Sequence, residues 1–153
     1  MTKVFSFATL LLMLLASCEN KEDKQAKADR QIILNYLKEH NIEALERPSG
    51  LFYLIENPGS GEHPTANSTV TVRYTGYYLD GIVFDTNEGK IATPFNLQTV
   101  IAGWREGIPL FRKGGSGKLF IPSGLAYGAN SMHRSGIPNN SVLIFDIRLL
   151  DFD

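Results

Sequence analysis

Apolar residues follow three different rhythms along this chain. The first is nearly unbroken: Val4-Phe5-Ser6-Phe7-Ala8-Thr9-Leu10-Leu11-Leu12-Met13-Leu14-Leu15-Ala16. It is shorter than the roughly 20 residues needed to span a bilayer, and it lacks the polar face of a core helix. With Lys3 ahead of it and small residues after it, the run predicts a secretory signal peptide over residues 1–17. Residues 19–29 then carry Glu19, Lys21, Glu22, Asp23, Lys24 and Lys27, with no aliphatic side chain larger than alanine. Such a segment is expected not to bury enough surface to fold alone. The second rhythm is helical: Ile33, Leu34 and Leu37 recur on one stripe and predict a short helix over residues 29–40. At roughly two to three turns the stripe suits a spacer, packed on a domain or solvated, better than a dimerisation arm.

The third rhythm is that of a sheet. Pro48-Ser49-Gly50 breaks the chain before a strand predicted over residues 51–56, and Asn57-Pro58-Gly59-Ser60-Gly61 turns it again. Val70, Val72 and Tyr74 alternate with Thr71, Arg73 and Thr75, so one face of that strand is buried and the other wet. Asp80-Gly81, between Tyr77-Tyr78-Leu79 and Ile82-Val83-Phe84, predicts a hairpin. Near the C-terminus Leu143, Phe145, Ile147 and Leu149 alternate with Ile144, Asp146, Arg148 and Leu150, as in a half-buried antiparallel strand. Only residues 100–108 break the period, with Val100, Ile101, Trp104 and Ile108 on one helical stripe that Pro109 and Gly114-Gly115 terminate. The expected class is α+β: an antiparallel sheet of four to six strands with one short helix on one face, over residues 49–153, preceded by a tether over residues 18–48.

Composition narrows the function. A formal net charge of −1 gives no electrostatic footprint for nucleic acid. The lone cysteine, Cys18, has no intrachain disulfide partner, and no Cys and His cluster has metal-site spacing. Neither metal nor cofactor is expected. Leu15-Ala16-Ser17-Cys18, directly after the apolar run, resembles a bacterial lipobox, which implies acylation of Cys18 and a membrane anchor stronger than the two lipid signals stable attachment needs. Glu19 after that cysteine points to the outer membrane facing the periplasm, and the charged Lys21-Glu22-Asp23 run leaves surface export open.

Five words stand in order along the domain: Val72-Arg73-Tyr74-Thr75-Gly76, Asp80-Gly81-Ile82-Val83-Phe84-Asp85, Val100-Ile101-Ala102-Gly103-Trp104, Leu125-Ala126-Tyr127-Gly128 and Leu143-Ile144-Phe145. Together they resemble the FKBP-type peptidyl-prolyl cis/trans isomerases. With the lipobox, the chain is similar to the FKBP lipoproteins associated with gliding motility in some Gram-negative bacteria. The resemblance implies an FKBP-like sheet wrapped around one short helix. It also implies catalytic roles for Tyr74, Phe84, Asp85, Trp104 and Tyr127, and substrate contacts from Phe95, Val100, Ile101, Ile137 and Phe145. Asp85 is expected to orient Tyr74, or else to cap the turn after Phe84, and Val100 has plain core as its alternative. Lys90 stands where the family often has an arginine, and His133 is a weak contact from the flap. The implied partners are proline-containing polypeptides and an envelope complex, and the implied task is assisting the folding of exported proteins. Two readings compete with it: a noncatalytic module that holds a proline loop, and a general chaperone.

Overall fold

The computed structural model describes residues 20–132 and 136–153. The signal peptide, the lipobox with Cys18, and His133 lie outside the described residues. Seven strands among the described residues pair into one antiparallel sheet: β1 (Leu45–Glu46), β2 (Phe52–Asn57), β3 (Thr69–Tyr77), β4 (Val83–Thr86), β5 (Pro94–Asn96), β6 (Ser116–Ile121) and β7 (Leu143–Phe152). Their order is β1-β2-β6-β7-β3-β4, with β5 beside β3. The count exceeds the expected four to six because β1 and β5, of two and three residues, are too short to show an alternation. The Asp80-Gly81 hairpin forms as its sequence requires. Gly81 adopts φ +85°, Asp80 Oδ1 accepts from the Ile82 N–H at 3.0 Å, and β4 turns back onto β3.

Helix α2 (Ala102–Gly107) lies against the inner face of the sheet and runs straight into a 3-10 turn at Ile108–Leu110. Its closeness depends on two small residues. A Cβ on Gly103 would stand 2.5 Å from Ile121 Cγ2, and one on Gly107 would stand 2.6 Å from Leu119 Cδ1. Trp104 and Ile108 thereby reach a core that includes Val72, Leu119, Phe145 and Ile147.

The tether differs from its expectation. Helix α1 spans Lys21–Glu39, so the charged stretch before residue 29 is helical. Asn20 caps it by accepting from the Asp23 N–H at 2.8 Å, Glu22 and Asp23 sit favourably in the first turn, and the Lys, Glu, Gln and Ala that fill it are good helix formers. The apolar stripe anchors the rest. Ile33 and Leu37 pack on the outer face of the sheet against Phe52, Phe120, Val142 and Ile144, worth about 1.5–3 kcal/mol for each aliphatic side chain so buried. An ion pair of Arg30 with Glu46, Nε to Oε1 at 2.6 Å and Nη2 to Oε2 at 2.8 Å, joins α1 to β1. This docking explains why Ile144, predicted on the wet face of β7, is fully buried: the helix covers that end of the sheet.

Candidate functional site

Aromatic side chains from four strands and α2 converge on one cavity of about 370 Å³ on the inner face. Trp104 forms its floor, 5 % exposed. Three rings meet the indole edge to face: Tyr74 at 4.9 Å and 80°, Phe145 at 5.3 Å and 80°, and Phe95 at 5.8 Å and 87° between centroids and planes. Phe84 closes the next side, 5.5 Å from Phe145 at 89°. Edge-to-face contacts at these distances add about 0.5–1.5 kcal/mol each beyond area burial, so the lining is fixed before anything binds. The indole Nε1–H is buried and has no acceptor among the described residues.

Asp85 and the hydroxyls of Tyr74 and Tyr127 bring polar groups to the lining. The strand register sets them: β4 pairs Asp85 with Gly76 of β3, which brings Asp85 beside Tyr74. The Tyr74 hydroxyl donates to Asp85 Oδ2 at 2.8 Å. Burial first, then this bond and the Asp85 charge, push the Tyr74 hydroxyl up to about 12, so it remains a protonated donor at neutral pH. Tyr127, also raised by burial and by the Asp85 charge, lines the cavity, and its hydroxyl makes no hydrogen bond among the described residues. Val100 and Ile101 border the cavity where the chain enters α2. Ile101 caps that helix, and the first intrahelical bonds return to its carbonyl from Trp104 and Arg105. Its own N–H therefore lies ahead of the helical ladder.

Of the residues expected at the site, Tyr74, Phe84, Asp85, Phe95, Val100, Ile101, Trp104, Tyr127 and Phe145 all line this cavity. Ile137 does not. It is 6 % exposed and packed into the main core, and Ser131 Oγ donates to Pro138 O, the next residue, at 2.8 Å. Two contributors were not anticipated. Thr99 joins the lining from the 3-10 turn Leu97–Thr99, where no periodicity marks it. Asn87, 8 % exposed, accepts from the Tyr74 N–H at 2.9 Å and donates to Val72 O at 2.8 Å, pinning the chain after Asp85 to β3. Arg73 adds to this clamp by donating to the carbonyls of Asn87, at 2.7 Å, and Lys90. The Lys90 ammonium donates to Thr86 O at 2.8 Å. The Asx-type turn signal of Thr86-Asn87-Glu88-Gly89 could have identified Asn87.

The family model described as FKBP-type peptidyl-prolyl cis-trans isomerase matches residues 60–150. The FKBP-type peptidyl-prolyl cis-trans isomerase FkpA of Buchnera aphidicola is 48 % identical over 105 residues, covering 67 % of this chain and 42 % of the relative. The outer membrane protein MIP of Legionella longbeachae is 43 % identical over 131 residues, covering 84 % and 54 %. The chain thus spans about half the length of these curated relatives. Among solved structures, a peptidyl-prolyl cis-trans isomerase from Pseudomonas syringae pv. tomato superposes with a TM-score of 0.73 at 30 % identity, covering 88 % of this chain and 97 % of that one.

Proposed function

Since the chain belongs to the FKBP-type peptidyl-prolyl cis-trans isomerase family, we propose that it catalyses rotation about X-Pro bonds of polypeptides by twisting the amide inside the Trp104-floored cavity. The observation that carries this reading is an aromatic lining locked by edge-to-face contacts around a cavity floored by Trp104. The barrier to rotation is about 18–20 kcal/mol because the planar amide is resonance-stabilised. Twisting the bond costs the amide its charge separation, so surroundings poor in water favour the twisted state over the planar one. The proline ring packs on the indole, while the Ile101 N–H and the Tyr127 hydroxyl donate to carbonyl oxygens of the bound chain. Asp85 holds the Tyr74 hydroxyl and sets the field at the rim. No nucleophile or proton transfer is required.

The test uses the chain from Asn20 onward, which keeps the cap and all of α1; a start at Arg30 would cut the helix. This protein should speed cis/trans exchange of short peptides with an apolar residue before proline, with neither metal nor nucleotide added. The uncatalysed exchange takes tens of seconds at about 25 °C. A folded protein that leaves that rate unchanged while still binding proline peptides would be the noncatalytic module instead.

The isomerase is proposed to work outside the cytoplasm, anchored through acylated Cys18 to the outer membrane and acting on exported proteins. The lipobox-like Leu15-Ala16-Ser17-Cys18 supports this, as does a relative named as an outer membrane protein. Cells fed a labelled fatty acid should incorporate label into the wild-type chain and none into Cys18→Ser. Equal labelling of the two would remove the anchor.

A further inference from the structure

We propose that Asp29, on the tether helix, is a positioning residue for the isomerase site: it holds the turn that carries Tyr127. The proposal rests on the isomerase reading for its kinetic consequence but not for its structural one. Asp29 is 0 % exposed, an expensive place for a carboxylate unless donors surround it. Donors do. Its Oδ2 accepts from both the N–H of Ser123 at 2.8 Å and the Ser123 hydroxyl at 2.6 Å, and its Oδ1 accepts from Gln25 Nε2 at 2.7 Å. Both bonds from Ser123 are short, and Ser123, itself 1 % exposed, is gripped by the two of them.

Ser123 opens the 3-10 turn Ser123–Leu125, in which Leu125 N–H donates to Pro122 O at 2.9 Å and Ala126 N–H to Ser123 O at 3.0 Å. Wherever Ser123 is set, Ala126 follows, and Tyr127 is the next residue. The Tyr127 hydroxyl makes no hydrogen bond among the described residues, so its place over the cavity is inherited from its backbone. On the other side of the segment, a cleft of about 630 Å³ separates the first turns of α1 from Ser123, Leu125 and Gly128. Leu125 and Ala126 rest on the main core, and on the helix side the Asp29 to Ser123 contact is where α1 and the turn close up. Downstream, Asn140 N–H donates to Gly128 O at 3.0 Å and fixes only the far end.

The experiment is a double-mutant cycle in the full chain held in detergent, with Asp29→Asn and Ser123→Ala each made in the Tyr127 and Tyr127→Phe backgrounds. Arg30→Ala, which breaks the neighbouring Arg30 to Glu46 pair without touching the turn, is the control for loosened docking. Asp29→Asn should lower kcat/KM about three- to tenfold, the worth of one hydrogen bond, and its effect should shrink below about twofold once the Tyr127 hydroxyl is gone. The NMR signals of the Tyr127 ring should move in Asp29→Asn and Ser123→Ala but stay in place in Arg30→Ala. Equal losses in both backgrounds, or an unmoved Tyr127 ring in folded Asp29→Asn, would overturn the proposal. If Asp29→Asn does not fold, Ser123→Ala provides both readouts. If the wild type itself lacks isomerase activity, that reading fails by itself, and the ring signals still decide whether Asp29 places Tyr127.

Discussion

Asp85→Val should lower kcat/KM for an X-Pro peptide at least about tenfold, a loss on the order of 1.4 kcal/mol of transition-state stabilisation, with the melting temperature almost unmoved. The carboxylate touches the cavity and accepts the Tyr74 hydroxyl at 2.8 Å, and hydrogen bonds to charged groups contribute roughly 1.5–3 kcal/mol. Its removal leaves Tyr74 without that acceptor and removes the negative charge that also acts on Tyr127. Stability should not follow. Asp85 is exposed on β4, the last strand in the sheet order, it contributes nothing to the core, and valine suits an edge strand well. A folded Asp85→Val protein with undiminished kcat/KM would make the residue a mere feature of the turn.

Gly117→Ala should do the reverse, costing stability on the order of 3 kcal/mol, the upper end for overpacking, and lowering the melting temperature by roughly 10 °C for a domain of this size. The position lies on β6 opposite Ile55 of β2 and Ile147 of β7, so ladders hold it from both sides. A Cβ there would stand 1.9 Å from the Leu54 carbonyl oxygen and 3.1 Å from the Glu56 nitrogen. Both are backbone atoms. They lie where β2 shifts register between Ile55 and Asn57, and neither can swing aside as a side chain would. Gly124→Ala, whose Cβ would meet nothing within 4 Å, is the matched control. Indistinguishable melting of the two variants would show that the β2–β6 ladder gives way easily.

How much of this was readable before the structure depends on whether neighbours in sequence carry the information. β3, the hairpin at Gly81 and the inner face of β7 announce themselves through period two and one dipeptide, and α2 through its stripe ending at Ile108. Those signals are local and give the elements that carry the floor and walls, whereas the resemblance named the side chains that line the cavity. The early turns of α1 show no stripe, because a helix of lysines, glutamates and alanines bears none; capping Asn20, the acidic first turn and the helix-forming composition were the local signs. Asp29 was hidden for a different reason: its partner Ser123 is 94 residues away, and one aspartate among many charged residues looks solvated. Ile144 was misjudged on the same ground, since the element that covers it is the tether. Ile137 shows the converse limit. A residue placed in the lining by resemblance can pack into the core beside it instead.

The indole at the cavity floor has an optical consequence. The chain contains one tryptophan and it is this one, so the red-edge absorbance and emission of the whole protein come from a single ring surrounded by Tyr74, Phe95 and Phe145. Its Nε1–H has no acceptor among the described residues, and because the ring lines the cavity, a dipole brought into the cavity lies against the excited indole. Occupancy of the site can therefore be followed by light alone, with no dye attached, in the same cuvette in which isomerisation is timed.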